Sequence, residues 1–273
     1  MSVFRERFDS TERLCRFVET APVNEGWENH IRESRTGDKE FTGTNSIEEA
    51  VAFARNGWND PVANMKELTR SKLLSAAERI GLKPSRPINA YVGGSPNVAR
   101  AIIGLPRDMR RVSFEEKKLP GMTLVYEAGV LAWTSAQEVE EHGTRFLALV
   151  NVLEASGVPT RVVCSSACKS HEDDNIYACE VVIKDFGNAL NIKKAAFFLA
   201  NASFQRRLVF SWRESTPLIK HHLSGYGQSV NSDDRTRRQF REYASEHGER
   251  WFSFNDFESD DDIIRKYEEL KRR

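Results

Sequence analysis

The residues best suited to chemistry in this chain are three cysteines and a histidine in one short stretch. Cys164, Cys168, His171 and Cys179 follow the spacing C-x3-C-x2-H-x7-C. Thiolate sulfur and imidazole nitrogen are zinc ligands, and four of them complete a structural zinc site. The spacing differs from the common zinc patterns, and two paired strands would bury Cys164 and Cys179 as small apolar residues. Zinc binding and simple burial are therefore both open.

Four carboxylates form a second candidate set, for a harder metal ion. Glu127, Asp173, Asp174 and Asp256 carry the oxygen ligands that magnesium prefers. They are spread over the sequence, so only the fold could bring them together. They define an alternative function, a metal-dependent enzyme of nucleic-acid or nucleotide metabolism. No cofactor is predicted outright; zinc and magnesium are the alternatives.

A basic segment near the C-terminus is a candidate nucleic-acid site. In "DDRTRRQFREY", Arg235, Arg238 and Arg241 fall on one face of a predicted helix, with Phe240 and Tyr243 nearby. Basic and aromatic side chains interleaved in this way can follow a phosphate backbone and stack on bases. The alternative is a solvated helix whose acidic first residues interact with its positive N-terminal end.

Trp58 is a candidate partner-binding residue. It ends the stretch "FTGTNSIEEAVAFARNGW", in which Ser46 and Glu49 predict a helix start and Gly57 predicts its end. A tryptophan at this position can pack on the protein's own core or act as an exposed anchor for a protein partner. The two alternatives differ in whether Trp58→Ala lowers stability or abolishes partner binding.

The elements that must position these residues are clearest after residue 120. "MTLVYEAGVLAW" predicts a strand, Ser135 begins a helix that ends at Gly157, and "VPTRVVCSSA" predicts a second strand. This βαβ pattern predicts that the strands beginning near Leu124 and Thr160 are parallel neighbours. "IYACEVVIKDF" predicts a further strand, close enough to the second one to form a hairpin with it.

The remaining pattern predicts a three-layer α/β fold with a mostly parallel sheet. The sequence predicts one helix over residues 191–212 and a strand over residues 252–254. It also predicts a last helix over residues 259–270, capped by Ser259. The predicted division of the chain has three parts: a polar N-terminal arm with one short helix (1–40), a helical hairpin with a Gly/Pro-rich connector (41–120), and the α/β domain (121–273).

Composition limits the classes of partner. The 273 residues carry 40 basic and 40 acidic side chains, so no overall charge attracts the chain to nucleic acid or to an anionic membrane. No stretch approaches the roughly 18 to 20 apolar residues that cross a bilayer. Charged residues occupy the N-terminus, and there are four cysteines. We therefore expect a protein of the cytoplasm that does not bind membranes.

Three stretches resemble a family of uncharacterised proteins encoded by tailed bacteriophages and related mobile elements. They are "FTGTNSIEEAVAFARNGW", "AYVGGSPNVARAIIGLPRDM" and "EEHGTRFLALVNVLEASGVPTRVV", with "GYG" at residues 225–227. The core of that family is similar to a von Willebrand factor A domain, in which a D-x-S-x-S loop holds a divalent metal. Glu127 lies near the place of the first acid and Ser135 near the helix start, but the paired serines are missing.

The resemblance implies a fold, a phage origin and the host cytoplasm, but no activity. Together with the residue patterns, it predicts a binding or scaffold protein without catalytic activity. The expected partner is a protein, which would bind the end of the sheet and the preceding helical hairpin. Nucleic acid is a second expected partner.

Overall fold

The computed structural model describes residues 2–58 and 120–271 and, between them, residues 71–72, 79, 87–90, 95–96, 102, 106 and 109–112. The first half of the chain contains β1 (Val3–Phe8), α1 (Thr11–Thr20), α2 (Glu33–Thr36), α3 (Lys39–Thr42), α4 (Ile47–Asn56), β2 (Pro87–Ala90), β3 (Ser95–Pro96), β4 (Met109–Val112) and β5 (Met122–Glu127). The second half contains α5 (Ala136–Ala155), β6 (Thr160–Lys169), β7 (Ile176–Lys184), α6 (Ile192–Ala200), a π-helix (Phe204–Val209), α7 (Phe210–Ser215), β8 (Gln228–Ser229), α8 (Asp234–Glu246), β9 (Glu249–Ser253) and α9 (Asp260–Lys271).

The main sheet has the strand order β1-β7-β6-β5-β9, and β8 pairs with β6. Leu124 of β5 lies opposite Val162 of β6 in a parallel pair, which confirms the predicted βαβ unit. β1 is parallel to β7 and β9 to β5, whereas β6 and β7 form the predicted antiparallel hairpin. The sheet is therefore mixed but mostly parallel. β2, β4 and β3 form a separate antiparallel sheet.

Helices cover both faces of the main sheet. β6 is apolar or small along nearly its whole length, as expected for a strand buried on both sides. Leu124 and Val162 face one core, which also contains side chains of α1, α4, α5, α6, α7 and α9. Val125 and Val163 face the second core, to which Phe240 and Ala244 of α8 contribute. The described part of the chain thus has the three layers that its alternating strands and helices predict.

Two predicted helix boundaries are confirmed. The Ser135 side chain accepts a hydrogen bond from the Glu138 N–H and Glu138 returns one to Ser135, so α5 begins with a capping box. α4 begins after Ser46, whose side chain accepts from the Glu49 N–H. It ends at Gly57, whose φ of 92° is a conformation that glycine tolerates best.

The helix predicted over residues 191–212 is broken. α6 ends at Ala200, and the chain resumes as the π-helix before it becomes α7. The Asn201 Oδ1 atom accepts a hydrogen bond from the Ser203 N–H at 2.8 Å. A short amide side chain that bonds to the local backbone competes with helical hydrogen bonding, which accounts for the interruption.

β1 lies in the segment that the sequence places in the polar arm. Its arginines, Arg5 and Arg7, both contact Glu180 of β7 and Glu249 of β9, with N–O distances of 2.5–2.8 Å. Glu180 is fully buried, so these contacts neutralise a carboxylate inside the protein. The first strand is therefore part of the main sheet, and α1 matches the one short helix predicted for that arm.

A second helix of the hairpin is expected over residues 61–80, and of these only residues 71–72 and 79 are described, all three in helical conformation. Most of the connector lies outside the described residues, so the hairpin stays a prediction. The division of the chain at residues 41 and 121 stays a prediction. None of the helices in the described ranges is long and apolar enough to cross a membrane.

Candidate functional site

The three candidate zinc thiols lie in the core. Cys164, Cys168 and Cys179 have no exposed surface, and burial raises the pKa of each thiol. The Cys164 Sγ atom donates to the Phe198 carbonyl oxygen at 3.0 Å, whereas His171 lies exposed in the turn after β6. Among the described residues no three His, Cys, Asp or Glu side chains are grouped to hold a metal. Zinc binding stays a prediction that this geometry does not favour.

The four candidate carboxylates are also separate. Asp173 accepts hydrogen bonds from the Tyr177 hydroxyl at 2.6 Å and from the Asn175 N–H at 3.0 Å. Burial alone would raise the pKa of this carboxyl, but its hydrogen bonds lower the pKa to about 2. Asp174, in the β6–β7 turn, is paired with Lys169 at the end of β6 at 2.7 Å. Asp256 pairs with Arg241 at 2.7 Å. Each carboxylate therefore has its own structural partner.

Glu127 fixes the turn that follows β5. Its Oε1 accepts from the Ala167 N–H at 2.8 Å and the Gly129 N–H at 3.1 Å, and its Oε2 accepts from Ser165 Oγ at 2.8 Å. Burial raises the pKa of this carboxyl to about 7. The Gly129 carbonyl in turn accepts from Asn231 Nδ2 at 2.5 Å. The chain therefore leaves the sheet at this point in a defined direction.

The π-helix holds the next residues of this loop. Gln205 bonds both backbone groups of Val130, accepting from its N–H at 2.9 Å and donating to its carbonyl at 3.1 Å. Arg206 donates to the carbonyls of Leu131 at 3.0 Å and Ala132 at 3.3 Å. Both side chains are buried, so their bonds are shielded from competing water. The loop that carries Trp133 is thus held by hydrogen bonds up to the residue before it.

The same π-helix holds a second wall, built from α2, α3 and the turn after it. Arg206 also donates to the Phe41 carbonyl at 2.5 Å, and its guanidinium lies 4.3 Å from the centre of the Phe41 ring. Arg207 donates to the carbonyls of Ser34, Gly37 and Thr44 at 2.6–3.0 Å. Two neighbouring arginines therefore hold both walls at a fixed separation.

Between the walls lies a cavity of about 970 Å³, which we call the α3–α5 groove. Its lining is mainly apolar and comprises Asp38, Lys39, Glu40, Phe41, Gly43, Trp58, Ala132, Thr134, Ser135, Ala136, Glu140, Ala200, Asn201, Ala202 and Arg206. Trp133 stands at the rim, between two lining residues, and 81% of its surface is exposed. Its neighbours Ala132 and Thr134 belong to the mainly apolar lining, and contiguous apolar surface, more than a single exposed ring, is what marks interaction sites.

Trp58 lies in this groove and packs against the first core, half-buried. Its backbone N–H donates a hydrogen bond to the Lys193 carbonyl oxygen at 3.1 Å, which fixes the end of α4 against α6. Phe53 is likewise partly buried against that core. This packing agrees with the first alternative for Trp58, and a role in partner binding stays a prediction.

The basic candidates lie together on α8, on the other side of the sheet. Arg238 and Arg241 line a polar recess of about 410 Å³, whereas Arg235 lies outside it. Arg241 is paired with Asp256, and the Phe240 ring is buried. That ring is unavailable for stacking on a base. Nucleic-acid binding here stays a prediction.

Sequence reasoning missed the most informative residues, Trp133 and the Gln205–Arg207 run. A signal was present in "ASFQRRLVFSW", where two adjacent arginines interrupt an otherwise apolar helical pattern. Buried arginines need several hydrogen-bond acceptors, and backbone carbonyls in distant loops supply them here.

The fold and groove define an α/β protein with a mostly parallel mixed sheet and a pre-formed apolar surface site. Comparison with protein families matches residues 2–273 to a domain of unknown function, DUF7192. The chain belongs to this uncharacterised family. Neither the search of curated proteins nor the search of solved structures returned a match.

Proposed function

We propose that this chain is a binding or scaffold protein without catalytic activity, which captures a protein partner in the α3–α5 groove. The observation that carries the proposal is Trp133, exposed at the rim on a loop that buried side chains hold in place. Tryptophan is among the residues that most often dominate the energy of protein interfaces. A surface anchor of this kind suits a partner that covers it.

Rigidity of the groove adds to this argument. A mobile loop would lose conformational entropy when it ordered on a partner, at a cost of about 0.5–1.5 kcal/mol for each immobilised side chain. Hydrogen bonds from Gln205 and Arg206 already restrict the loop before a partner arrives. Little of the binding energy is then spent on ordering the receptor.

Several finer features belong to the proposal. A von Willebrand factor A-like core is supported by the order β7-β6-β5-β9, the β6–β7 hairpin, and a groove formed by the loop that follows β5. A phage or mobile-element origin and action in the host cytoplasm are supported by the sequence resemblance. Nucleic acid is a second partner of the proposal, supported by the exposed Arg235 and Arg238 on α8.

Site-specific photo-crosslinking tests the proposed function. A photoreactive amino acid replaces Ala132 in the groove, and in a matched control it replaces Glu242, which is exposed on α8. In cells that naturally produce the protein, we expect a defined protein adduct from position 132. The adduct should be absent from position 242 and lost when Trp133→Ala is added.

Thermal unfolding of the Trp133→Ala variant provides the control for folding. Because the ring is mostly exposed, its removal should leave Tm nearly unchanged. Identical adducts from both crosslinking positions, or an adduct that survives Trp133→Ala, would refute partner binding in the groove.

A further inference from the structure

The rim of the α3–α5 groove carries more negative than positive charge. Asp38 and Glu40 lie on or beside α3, and Glu140 lies on α5 on the opposite side. Glu138 and Glu141 extend the acidic surface along α5. The cations in the lining are Lys39, which is exposed, and Arg206, which is 5% exposed and hydrogen-bonded to three backbone carbonyls.

Two of these carboxylates have no partner of their own. The side chains of Glu40 and Glu140 form no hydrogen bond or ion pair among the described residues. Glu138, by contrast, is used in the capping box of α5, and Glu141 is paired with Arg145 at 3.3 Å. Glu40 and Glu140 are thus the two rim carboxylates available to an incoming cation.

Glu140 is also partly buried. Desolvation, and then the neighbouring Glu141, raise the pKa of its carboxyl above the ordinary value. A cation brought by a partner would compensate this charge in a partly desolvated setting, where an ion pair is stronger than in water. The groove therefore favours a ligand with a positive group near α5.

The floor of the groove favours a bulky apolar group. Ala136, Ala200 and Ala202 present small side chains, while Phe41 and Trp58 supply aromatic surface at the walls. Small residues allow a large side chain to enter, and the flanking rings give it contact area. These side chains line the same groove as the two unpaired carboxylates.

We infer that the groove binds a cationic amphipathic segment of a protein, with a large apolar or aromatic residue on the floor and flanking Lys or Arg residues at Glu40 and Glu140. This inference rests on the proposed function and names the chemistry of its partner. Charge complementarity of this kind increases the association rate and selects against acidic partners.

Peptide selection tests the inference directly. A displayed library of random peptides of about a dozen residues is selected on the full chain, with the Trp133→Ala variant used to remove groove-independent binders. We expect the enriched sequences to carry net positive charge and at least one large apolar residue. A consensus peptide is then synthesised and its affinity measured. The chain has five tryptophans, so a blue shift of tryptophan fluorescence that is absent in Trp133→Ala serves as the readout of docking.

Charge variants provide the quantitative test. Glu40→Gln combined with Glu140→Gln should weaken the consensus peptide about tenfold at low salt, and less at high salt, because rim ion pairs are screened. Glu242→Gln on the other side of the sheet is the matched control and should leave the affinity unchanged. The salt dependence separates a charge effect from a general change in the groove.

The outcomes distinguish failure of this inference from failure of the proposed function. Enriched peptides that are neutral or acidic but still require Trp133 would overturn the inference and keep the proposed function. Basic peptides whose affinity ignores Glu40 and Glu140 would have the same consequence. No Trp133-dependent peptide at all, together with no groove-specific adduct in cells, would overturn both.

Discussion

Replacement of Glu127 by glutamine should remove a pH dependence of stability that can be worked out in advance. The carboxyl is fully buried, and burial raises its pKa from 4.5 to about 7. The folded protein therefore holds this proton to a higher pH than the unfolded chain does. The stability gained from the protonated carboxyl is complete below pH 4.5 and is lost as the pH rises towards 7.

The magnitude follows from the same shift. Each pKa unit corresponds to about 1.4 kcal/mol, so between pH 5 and pH 8 the wild-type free energy of unfolding should fall by roughly 2 to 3 kcal/mol from this group alone. Glu127→Gln resembles the protonated carboxyl: its amide oxygen can accept from Ala167 and Gly129, and its amide nitrogen can donate to Ser165 Oγ. The variant should lack this contribution.

Urea denaturation at the two pH values measures the effect. Subtracting the free energy of Glu127→Gln from that of the wild type at each pH cancels the other titrating groups. Glu242→Gln, an exposed carboxyl on α8, is the control and should show no pH-dependent difference. A wild-type minus Glu127→Gln difference that is equal at both pH values would refute the reasoning about Glu127.

Three further predictions concern other parts of the fold. Trp58→Ala should destabilise the protein by about 2–3 kcal/mol, because the ring packs on the first core. Ser46→Ala should cost only about 1 kcal/mol through the lost helix cap. The Tm values of the two variants, each measured against the wild type, test this difference. Arg206→Met leaves three carbonyls without their donor and should reduce hydrogen-exchange protection in both groove walls before other regions. Protein purified without added metal should contain less than one equivalent of zinc by elemental analysis, because no three candidate ligands among the described residues are grouped to hold a metal.

Each of these has a result that contradicts it. Equal Tm losses for the two substitutions would mean that Trp58 contributes little to packing. Exchange that increases evenly over the whole chain of Arg206→Met would indicate a general loss of stability instead of freed walls. A stoichiometric zinc ion that is lost in Cys168→Ala would show that the thiols bind metal after all.

The central part of the fold follows from short-range pattern. β5, α5 and β6 are consecutive, their boundaries carry the Ser135 capping box and Gly157, and right-handed parallel crossover is the near-universal outcome for such a unit. The hairpin of β6 and β7 is likewise local. Each of these predictions depends on residues in the same element or in neighbouring elements of the chain. Sequence patterns are informative over this short range.

β1 could not be found in this way. Its sequence, VFRERF, has three consecutive charged residues at its centre, a pattern typical of a solvated segment. One partner of its arginines is Glu180, more than 170 residues away, and that carboxylate lies in a strand that is otherwise mainly apolar. Long-range ion pairing turns an exposed pattern into a buried one.

The groove was equally hidden. Its walls come from segments near residues 38–43, 58, 132–140 and 200–206, and nothing in any one of them indicates the others. The bend at Asn201 that sets the π-helix between these walls depends on one side-chain hydrogen bond. The candidates visible in the sequence, such as Cys164, have chemically reactive side chains, whereas the lining of the α3–α5 groove is mainly apolar.

Within the described ranges, the side chains of Gln205, Arg206 and Arg207 in the π-helix form hydrogen bonds only with main-chain atoms. Gln205 bonds the backbone of Val130, Arg206 bonds three carbonyls, and Arg207 bonds three more. The side chains of the two walls are therefore free to change while the frame that spaces them stays the same. Replacing residues 132–134 by a different loop of equal length should change which partner is recognised and leave the architecture intact, so one scaffold can support many specificities.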